Sequence, residues 1–260
     1  MIALTRSQEL QESTASRVET DARWDWQRGF DVIAAAALLL LTAPVLLLVI
    51  ALVRMTSAGP AIYRQVRVGR GGRVYTMFKI RSMRHDCEKL TGPQWSKPGD
   101  ARVLPIGRIL RVTHLDELPQ LWNVLRGDMS LIGPRPERPE IIPALEQSVP
   151  QYRDRLSVRP GLTGLAQILL PPDVNNKSVR RKVAHDLYYI VNRDAGLDAR
   201  IVLGTFLHLA RVPHGLTRTL LRLPRFGAVS RAYRSGRCAV NELSSLDIAL
   251  PCQSLATEGA

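Results

Sequence analysis

The sequence predicts a mainly helical α+β protein with one N-terminal membrane helix. Three observations predict it. Residues 32–53 form a 22-residue run without a formal charge. Residues 62–79 are rich in arginine and β-branched side chains around Gly69, Gly71 and Gly72, as short strands joined by a glycine turn would be. Helical patterning then covers 106–125, 143–156 and 179–191.

At 260 residues the chain has room for one substantial domain or two small ones. A formal net charge of +13 points to an anionic partner: nucleic acid, an acidic bilayer surface or a phosphorylated small molecule. Aromatic residues make up only 5%, which argues against single-stranded nucleic acid, whose bases stack on aromatic rings. The three cysteines, Cys87, Cys238 and Cys252, include no close pair. They define neither a disulfide framework nor a zinc site, and they fit a reducing compartment.

Residues 1–27 are polar and mixed in charge, and are expected to be poorly ordered; Trp24 and Trp26 mark an interfacial position. Residues 28–54 hold the membrane segment. The apolar run exceeds the roughly 20 residues needed to cross a bilayer, and the polar residues ahead of it argue against a cleaved signal peptide. Arginines flank it on both sides (Arg17, Arg23 and Arg28 before; Arg54, Arg64 and Arg67 after), so the positive-inside rule favours neither orientation strongly. Pro44 falls mid-run, where it removes a backbone hydrogen bond and kinks a helix. A helix that bends at Pro44 and returns to its side of entry satisfies both facts, and a kinked span is the alternative.

Residues 55–210 form the expected globular domain. Within it Ser57-Ala58-Gly59-Pro60 reads as a turn, and 87–107, with its prolines and glycines, as a mobile loop. Residues 211–260 form a basic tail. Between 211 and 237 there are seven arginines and no acids, suited either to an anionic lipid surface or to a solvated tail.

Among the motifs, Gly69-Arg70-Gly71-Gly72 is a tight turn; it lacks the lysine-serine ending of a phosphate loop and the spacing of a dinucleotide fingerprint. Lys79, Arg81 and Arg84 are cations able to orient phosphate oxygens, although alone such a group is more often a solvated face. His85, His114 and His185 are scattered and receive no role. The adjacent acids Asp116 and Glu117 follow Arg108 and Arg111. A bare acidic pair is most often a helix N-terminus. Here Arg111 lies a helical turn before Leu115 and can fold back over the carboxylate. An arginine partner would keep Asp116 ionised, ready to act as a nucleophile or to hold Mg2+ through oxygen; a structural ion pair is the bland alternative. Finally, 133–139 is a proline-stiffened turn presenting Arg135 and Arg138, whose paired donors suit phosphate.

In order, the chain reads Gly59-Pro60-Ala61-Ile62-Tyr63-Arg64-Gln65, Phe78-Lys79-Ile80-Arg81-Ser82-Met83, Leu115-Asp116-Glu117-Leu118-Pro119-Gln120-Leu121-Trp122-Asn123-Val124, Gly127-Asp128-Met129-Ser130-Leu131-Ile132-Gly133-Pro134-Arg135-Pro136 and Arg159-Pro160-Gly161-Leu162-Thr163-Gly164-Leu165-Ala166-Gln167. These strings, behind an apolar helix with a central proline, closely resemble the bacterial sugar transferases, the monotopic phosphoglycosyl transferases. The resemblance covers about residues 24–210.

The resemblance implies transfer of a phospho-sugar from a UDP-sugar to undecaprenyl phosphate, with release of UMP, as an early step of exopolysaccharide or other surface glycan synthesis. It implies Asp116 as nucleophile and metal ligand, Glu117 beside it, and Mg2+ as cofactor. Lys79, Arg81 and Arg111 match basic positions, Asp186 an acidic one, and Pro134, Arg135 and Pro136 the nucleotide-side loop. Pro44 would break a re-entrant helix, placing a catalytic domain with a small β element and interfacial amphipathic helices on the cytoplasmic face of the bacterial inner membrane. Its partners would be the two substrates and the lipid bilayer, with no nucleic acid; a homo-oligomer is left open. Two positions depart from the pattern: Ala43 where serine is frequent, and His114 where a small hydroxyl residue is usual. The membrane domain that precedes the catalytic unit in longer relatives has no counterpart, as in a minimal form. The competing reading is a membrane-tethered basic protein that binds anions, or a scaffold, without catalysis.

Overall fold

The computed structural model describes residues 2–85, 87 and 99–236, with side chains from Trp26 onward. It is a mainly helical α+β body with two small sheets. Helix α1 (Ile2–Thr56) runs through the polar N-terminal segment expected to be poorly ordered; no proline or glycine interrupts that stretch before Gly29. It also continues through Pro44. Residues Trp26–Thr56 are long and apolar enough to cross a membrane, and only 17% of the most apolar stretch is buried. Leu40, Leu41, Leu47 and Leu48 stand 60–77% exposed.

The two halves of this helix bind the domain differently. Near the start of the apolar run the contacts are polar. Gln27 Nε2 donates to Ser130 Oγ (2.9 Å), Asp31 Oδ1 accepts from the Leu131 amide (3.0 Å), and Arg28 donates to the Val124 and Leu125 carbonyls. At the other end Leu46, Val49 and Val53 pack with Ala61, Ile80 and Leu110.

Strands β1 (Ile62–Val68) and β2 (Val74–Ile80) pair antiparallel from Ile62↔Ile80 to Val68↔Val74. The glycine turn between them is as expected, with Gly71 and Gly72 at positive φ, where a Cβ is disfavoured. The helical pattern over 106–125 is split into α2 (Pro105–Thr113), a 3-10 turn (Leu115–Glu117) and α3 (Gln120–Arg126). His114 causes the break: at φ 56° it sits in the left-handed region and turns the chain. Asn123 of α3 is fully buried and bonds β2 twice, accepting from the Phe78 amide (3.1 Å) and donating to the Thr76 carbonyl (2.7 Å). It thereby satisfies backbone groups that β1 leaves unpaired.

Strand β3 (Ser130–Ile132) pairs parallel with β4 (Gly161–Thr163). The pairing brings two distant motifs together, since the Gly161 amide donates to the Pro134 carbonyl and the Gly133 amide to Thr163. A Cβ at Gly161 or Gly164 would collide with the Gly133 backbone, so these positions permit only glycine.

The pattern over 143–156 becomes α4 (Ile142–Ser148) and a 3-10 stretch (Tyr152–Ser157), divided at Pro150 and at Gln151 (φ 57°). Helices α5 (Leu165–Leu169), α6 (Asn176–Asn192) and α7 (Ala195–Leu209) complete the core. The Asn175 side chain caps α6 in a reciprocal pair with Ser178. Beyond residue 210 the basic segment carries α8 (His214–Leu220), against α5 and α7, and α9 (Phe226–Arg234), against α6. The Phe226 ring stacks on His185, and Tyr233 Oη donates to the Pro150 carbonyl (2.6 Å). The loop expected over 87–107 lies mostly outside the described residues, as does the tail beyond Gly236.

Candidate active site

A cavity of about 1420 Å3 opens between the end of α1, the β1–β2 hairpin, α2 and the loop after β3. Local turns aim its side chains. The left-handed His114 stops α2 and the 3-10 turn swings Asp116 and Glu117 onto the cavity wall; the Glu117 amide closes that turn on the His114 carbonyl (3.1 Å). Lys79 reaches the same wall from the penultimate residue of β2, and Arg135 from the loop after β3.

The two acids differ sharply. Lys79 Nζ donates to Glu117 Oε1 at 3.0 Å, and Arg135 Nη2 donates to the same oxygen at 2.6 Å. Burial by itself would raise the Glu117 pKa. Arg135 and then Lys79 outweigh it and hold the carboxyl well below the usual glutamate range. Burial lowers Lys79, against the pull of Glu117. Asp116 is only 7% exposed, and among the described residues it receives no side-chain hydrogen bond. Burial and then the Glu117 charge raise its pKa; Lys79 and Arg111 oppose them without prevailing. Arg111 does favour the ionised form of Asp116, as expected, but burial outweighs it, and the cationic clamp closes on Glu117. Arg111 Nε donates instead to Ser82 Oγ (2.8 Å).

Of the residues singled out from the sequence, Lys79, Arg81, Arg111, Asp116, Glu117 and Arg135 all line this one cavity. Arg81 also ties the turn after α1, donating to the Ala58 (2.7 Å) and Ser57 (2.8 Å) carbonyls. Pro134 and Pro136 are buried and frame Arg135 without lining the cavity. Pro44 lies in α1, away from the site. Asp186 does not reach the cavity: it is buried in α6 and paired with Arg155 (2.8 Å), side chains 2% and 3% exposed.

Arg155 was not anticipated. One of its nitrogens donates to the Arg135 carbonyl (2.8 Å) and another to Tyr152 Oη (3.1 Å). Burial disfavours the guanidinium charge, but Asp186, Tyr152 and Glu137 together more than offset it and raise the pKa. Behind it, Glu137 pairs with Lys182, which also bonds Asp173. Gln167 accepts from Arg135 (3.0 Å); it closes one of the quoted motif strings, a signal that was present in the sequence. Arg155 stands in an ordinary Arg-Asp-Arg stretch that offers no such signal.

Fold and site together define a domain carried on one long apolar helix, with a basic cavity in which Asp116, among the described residues, is buried without a side-chain hydrogen bond. The bacterial sugar transferase family model matches residues 22–211, and the chain belongs to that family. It is 44% identical over 191 residues to a UDP-glucose:undecaprenyl-phosphate glucose-1-phosphate transferase of Caulobacter vibrioides, covering 73% of this chain and 70% of that one. It is 41% identical to a UDP-N-acetylgalactosamine-undecaprenyl-phosphate N-acetylgalactosaminephosphotransferase of Aeromonas hydrophila, covering 69% of this chain but only 42% of the relative. An exopolysaccharide production protein of Rhizobium leguminosarum is 40% identical, covering 69% of this chain and 92% of the relative.

Proposed function

We propose that the protein moves a phospho-sugar from a UDP-sugar to undecaprenyl phosphate in two displacements on Asp116. The observation that carries this reading is the division of labour in the dyad: Glu117 is committed to two cations, and Asp116 faces the cavity with no side-chain hydrogen bond among the described residues. In the first displacement an Asp116 oxygen attacks the sugar-linked phosphorus. The bond from that phosphorus to the bridging oxygen breaks, and UMP leaves with the oxygen. In the second, a phosphate oxygen of the lipid attacks the same phosphorus, and the acyl-phosphate bond breaks to restore the carboxylate. No proton need be moved if the leaving UMP and the lipid phosphate are ionised. Splitting the transfer lets one carboxylate serve two substrates in turn. A raised pKa makes Asp116 a stronger nucleophile once ionised, and Lys79, Arg111 and Arg135 supply fixed positive charge where the phosphoryl group moves.

Among the described residues no trio of His, Cys, Asp or Glu side chains could hold a metal ion. The donor set instead suits Mg2+ arriving with a diphosphate, since that ion keeps its waters and takes one or two carboxylates plus substrate oxygens. Asp116 would hold it, and the ion would neutralise diphosphate charge.

The same domain touches α1 from Gln27 to Val53, roughly 40 Å of helix against a hydrocarbon core of about 30 Å. A helix crossing the bilayer would carry its two ends to opposite sides, beyond the reach of one domain. This supports a helix that re-enters the cytoplasmic leaflet of the inner membrane and bends near Pro44. There the proline leaves a carbonyl unpaired, and Thr42 Oγ1 donates back to Leu38 (2.7 Å), a bond that favours bending. The active site would then face cytoplasmic UDP-sugars beside the lipid acceptor.

The test is intact mass after incubation with Mg2+ and a panel of UDP-sugars without lipid. One phospho-sugar added by some donor, and absent in Asp116→Asn, is the expected result. An adduct that persists in Asp116→Asn would remove Asp116 as the nucleophile.

A further inference from the structure

Beside the catalytic turn lies a second depression of about 340 Å3 that the proposed chemistry leaves unused. Its polar part is a file of three imidazoles. His114 meets His208 with ring centroids 5.9 Å apart, and His208 stacks on His214 at 5.4 Å and 19°. The His208 and His214 rings present faces to each other and do not converge lone pairs on a point, and among the described residues no group of three such side chains could hold a metal ion. Arg111 and Arg211 add two guanidinium groups, and among the described residues no carboxylate lines the depression. Burial and then the neighbouring imidazoles of His214 and His114 hold His208 below the ordinary histidine value, and a bound anion would favour its charged form.

Its position is as telling as its charge. Arg111 and His114 line this depression and the catalytic cavity alike, so the two share a wall. Outward, Ile109 and Val112 of α2, Phe206 and Leu209 of α7, and Leu216 and Leu220 of α8 are 42–64% exposed. Val112 and Leu209 form the apolar rim. On its other face α2 packs Leu110 against Val49 and Val53, so the apolar ridge continues from the membrane helix. His214 lies beyond the stretch that the family model matches.

We infer that this depression receives the head of an amphiphilic phosphate monoester, held by His208, His214 and Arg211, with its tail along the α2–α7–α8 ridge. The inference rests on the proposed reaction in naming that ligand as the lipid acceptor, which would pass from here over the shared wall to Asp116. Protonated imidazole and guanidinium both donate charge-assisted bonds to phosphate.

The experiment uses the full chain in detergent micelles, labelled with 15N-histidine and titrated with farnesyl phosphate, farnesol or inorganic phosphate. Farnesyl phosphate is expected to shift the His208 and His214 resonances saturably, with neither control doing so at equal concentration. In turnover, His208→Gln/His214→Gln and the exposed single variant Arg211→Gln should raise the acceptor KM relative to the donor KM, on the order of 10-fold in the double variant. Three results would overturn the inference: no shift, an equal response to farnesol or to inorganic phosphate, or an unchanged KM ratio in both variants. If no UDP-sugar releases UMP from the wild-type protein, the proposed reaction fails, and the histidine titration alone decides this site.

Discussion

The cavity face and the wall behind it use the same residue types in opposite ways. On the face, Asp116 is buried, raised in pKa and, among the described residues, without a side-chain hydrogen bond. In the wall, Glu117 and Glu137, which also line the cavity, and Asp186 behind them are each paired with an arginine or lysine. The wall holds Arg135 from three sides: its side chain through Glu117 and Gln167, its carbonyl through Arg155. On the proposed reaction, the paired acids position Arg135 and the cations, and Asp116 carries the chemistry. The contrast teaches that adjacency in sequence says little about role; what counts is which acid the cations reach.

Breaking the face should have the largest effect. Asp116→Asn removes the proposed nucleophile and keeps the shape, so turnover should fall on the order of 10^4-fold or more, with no covalent adduct by intact mass and little change in melting temperature. Glu117→Gln should instead leave a slow enzyme, reduced on the order of 10^2- to 10^3-fold as Lys79 and Arg135 lose their shared anchor. Because Asp116 is still present, the adduct should form in a rapid-mixing experiment, only late. Equal silence from both variants would erase the distinction between face and wall.

The wall should fail differently. Asp186→Asn strips the partner from a guanidinium buried to 2%, and breaking one side of a buried pair costs about 3–5 kcal/mol. For a chain of this size that corresponds to a fall in Tm on the order of 10 °C. Activity measured well below that Tm should still drop, with the loss mostly in donor KM, since Arg155 no longer fixes the Arg135 carbonyl. A variant with wild-type Tm would place Asp186 outside the framework.

Much of the cavity lining was legible in sequence and little of the support behind it was. Asp116, Glu117, Lys79 and Arg135 stand in unusual strings, and the turn at 69–72 declares itself through its glycines. The apolar run of α1 was equally plain. What stayed hidden depends on distance along the chain. The β3–β4 pairing joins residues about thirty positions apart, and nothing local to Gly133 announces Gly161. The left-handed turn at His114 interrupts a helical pattern that reads as continuous, because histidine gives no local signal of a positive φ. Helix α7 was not distinguished from its surroundings, and Asp186 was recognised as a matched acid but not as one turned away from the cavity. Arg111, which favours the Asp116 carboxylate, is visible in sequence; the burial that outweighs it is not.

The smallest expected effect concerns the far end of the wall, and it tests the sign of the electrostatics. Burial would raise the Glu137 pKa, but Lys182 and then Arg155 and Arg67 hold it below the ordinary glutamate value of 4.5. A carboxyl with a depressed folded pKa adds stability that is complete above the unfolded value and is lost as pH falls through the folded one. Wild type should thus be more stable than Glu137→Gln at neutral pH, by about 1 kcal/mol or somewhat more given the partial exposure of the pair. The gap should narrow only below about pH 4.5, as the unfolded chain begins to take up the proton that the folded state resists. Melting curves of both proteins between neutral and acid pH measure it. A gap that widened on acidification would mean that Glu137 is protonated more readily in the folded state, and that Lys182 and Arg155 do not bind the wall together as the contrast with Asp116 requires.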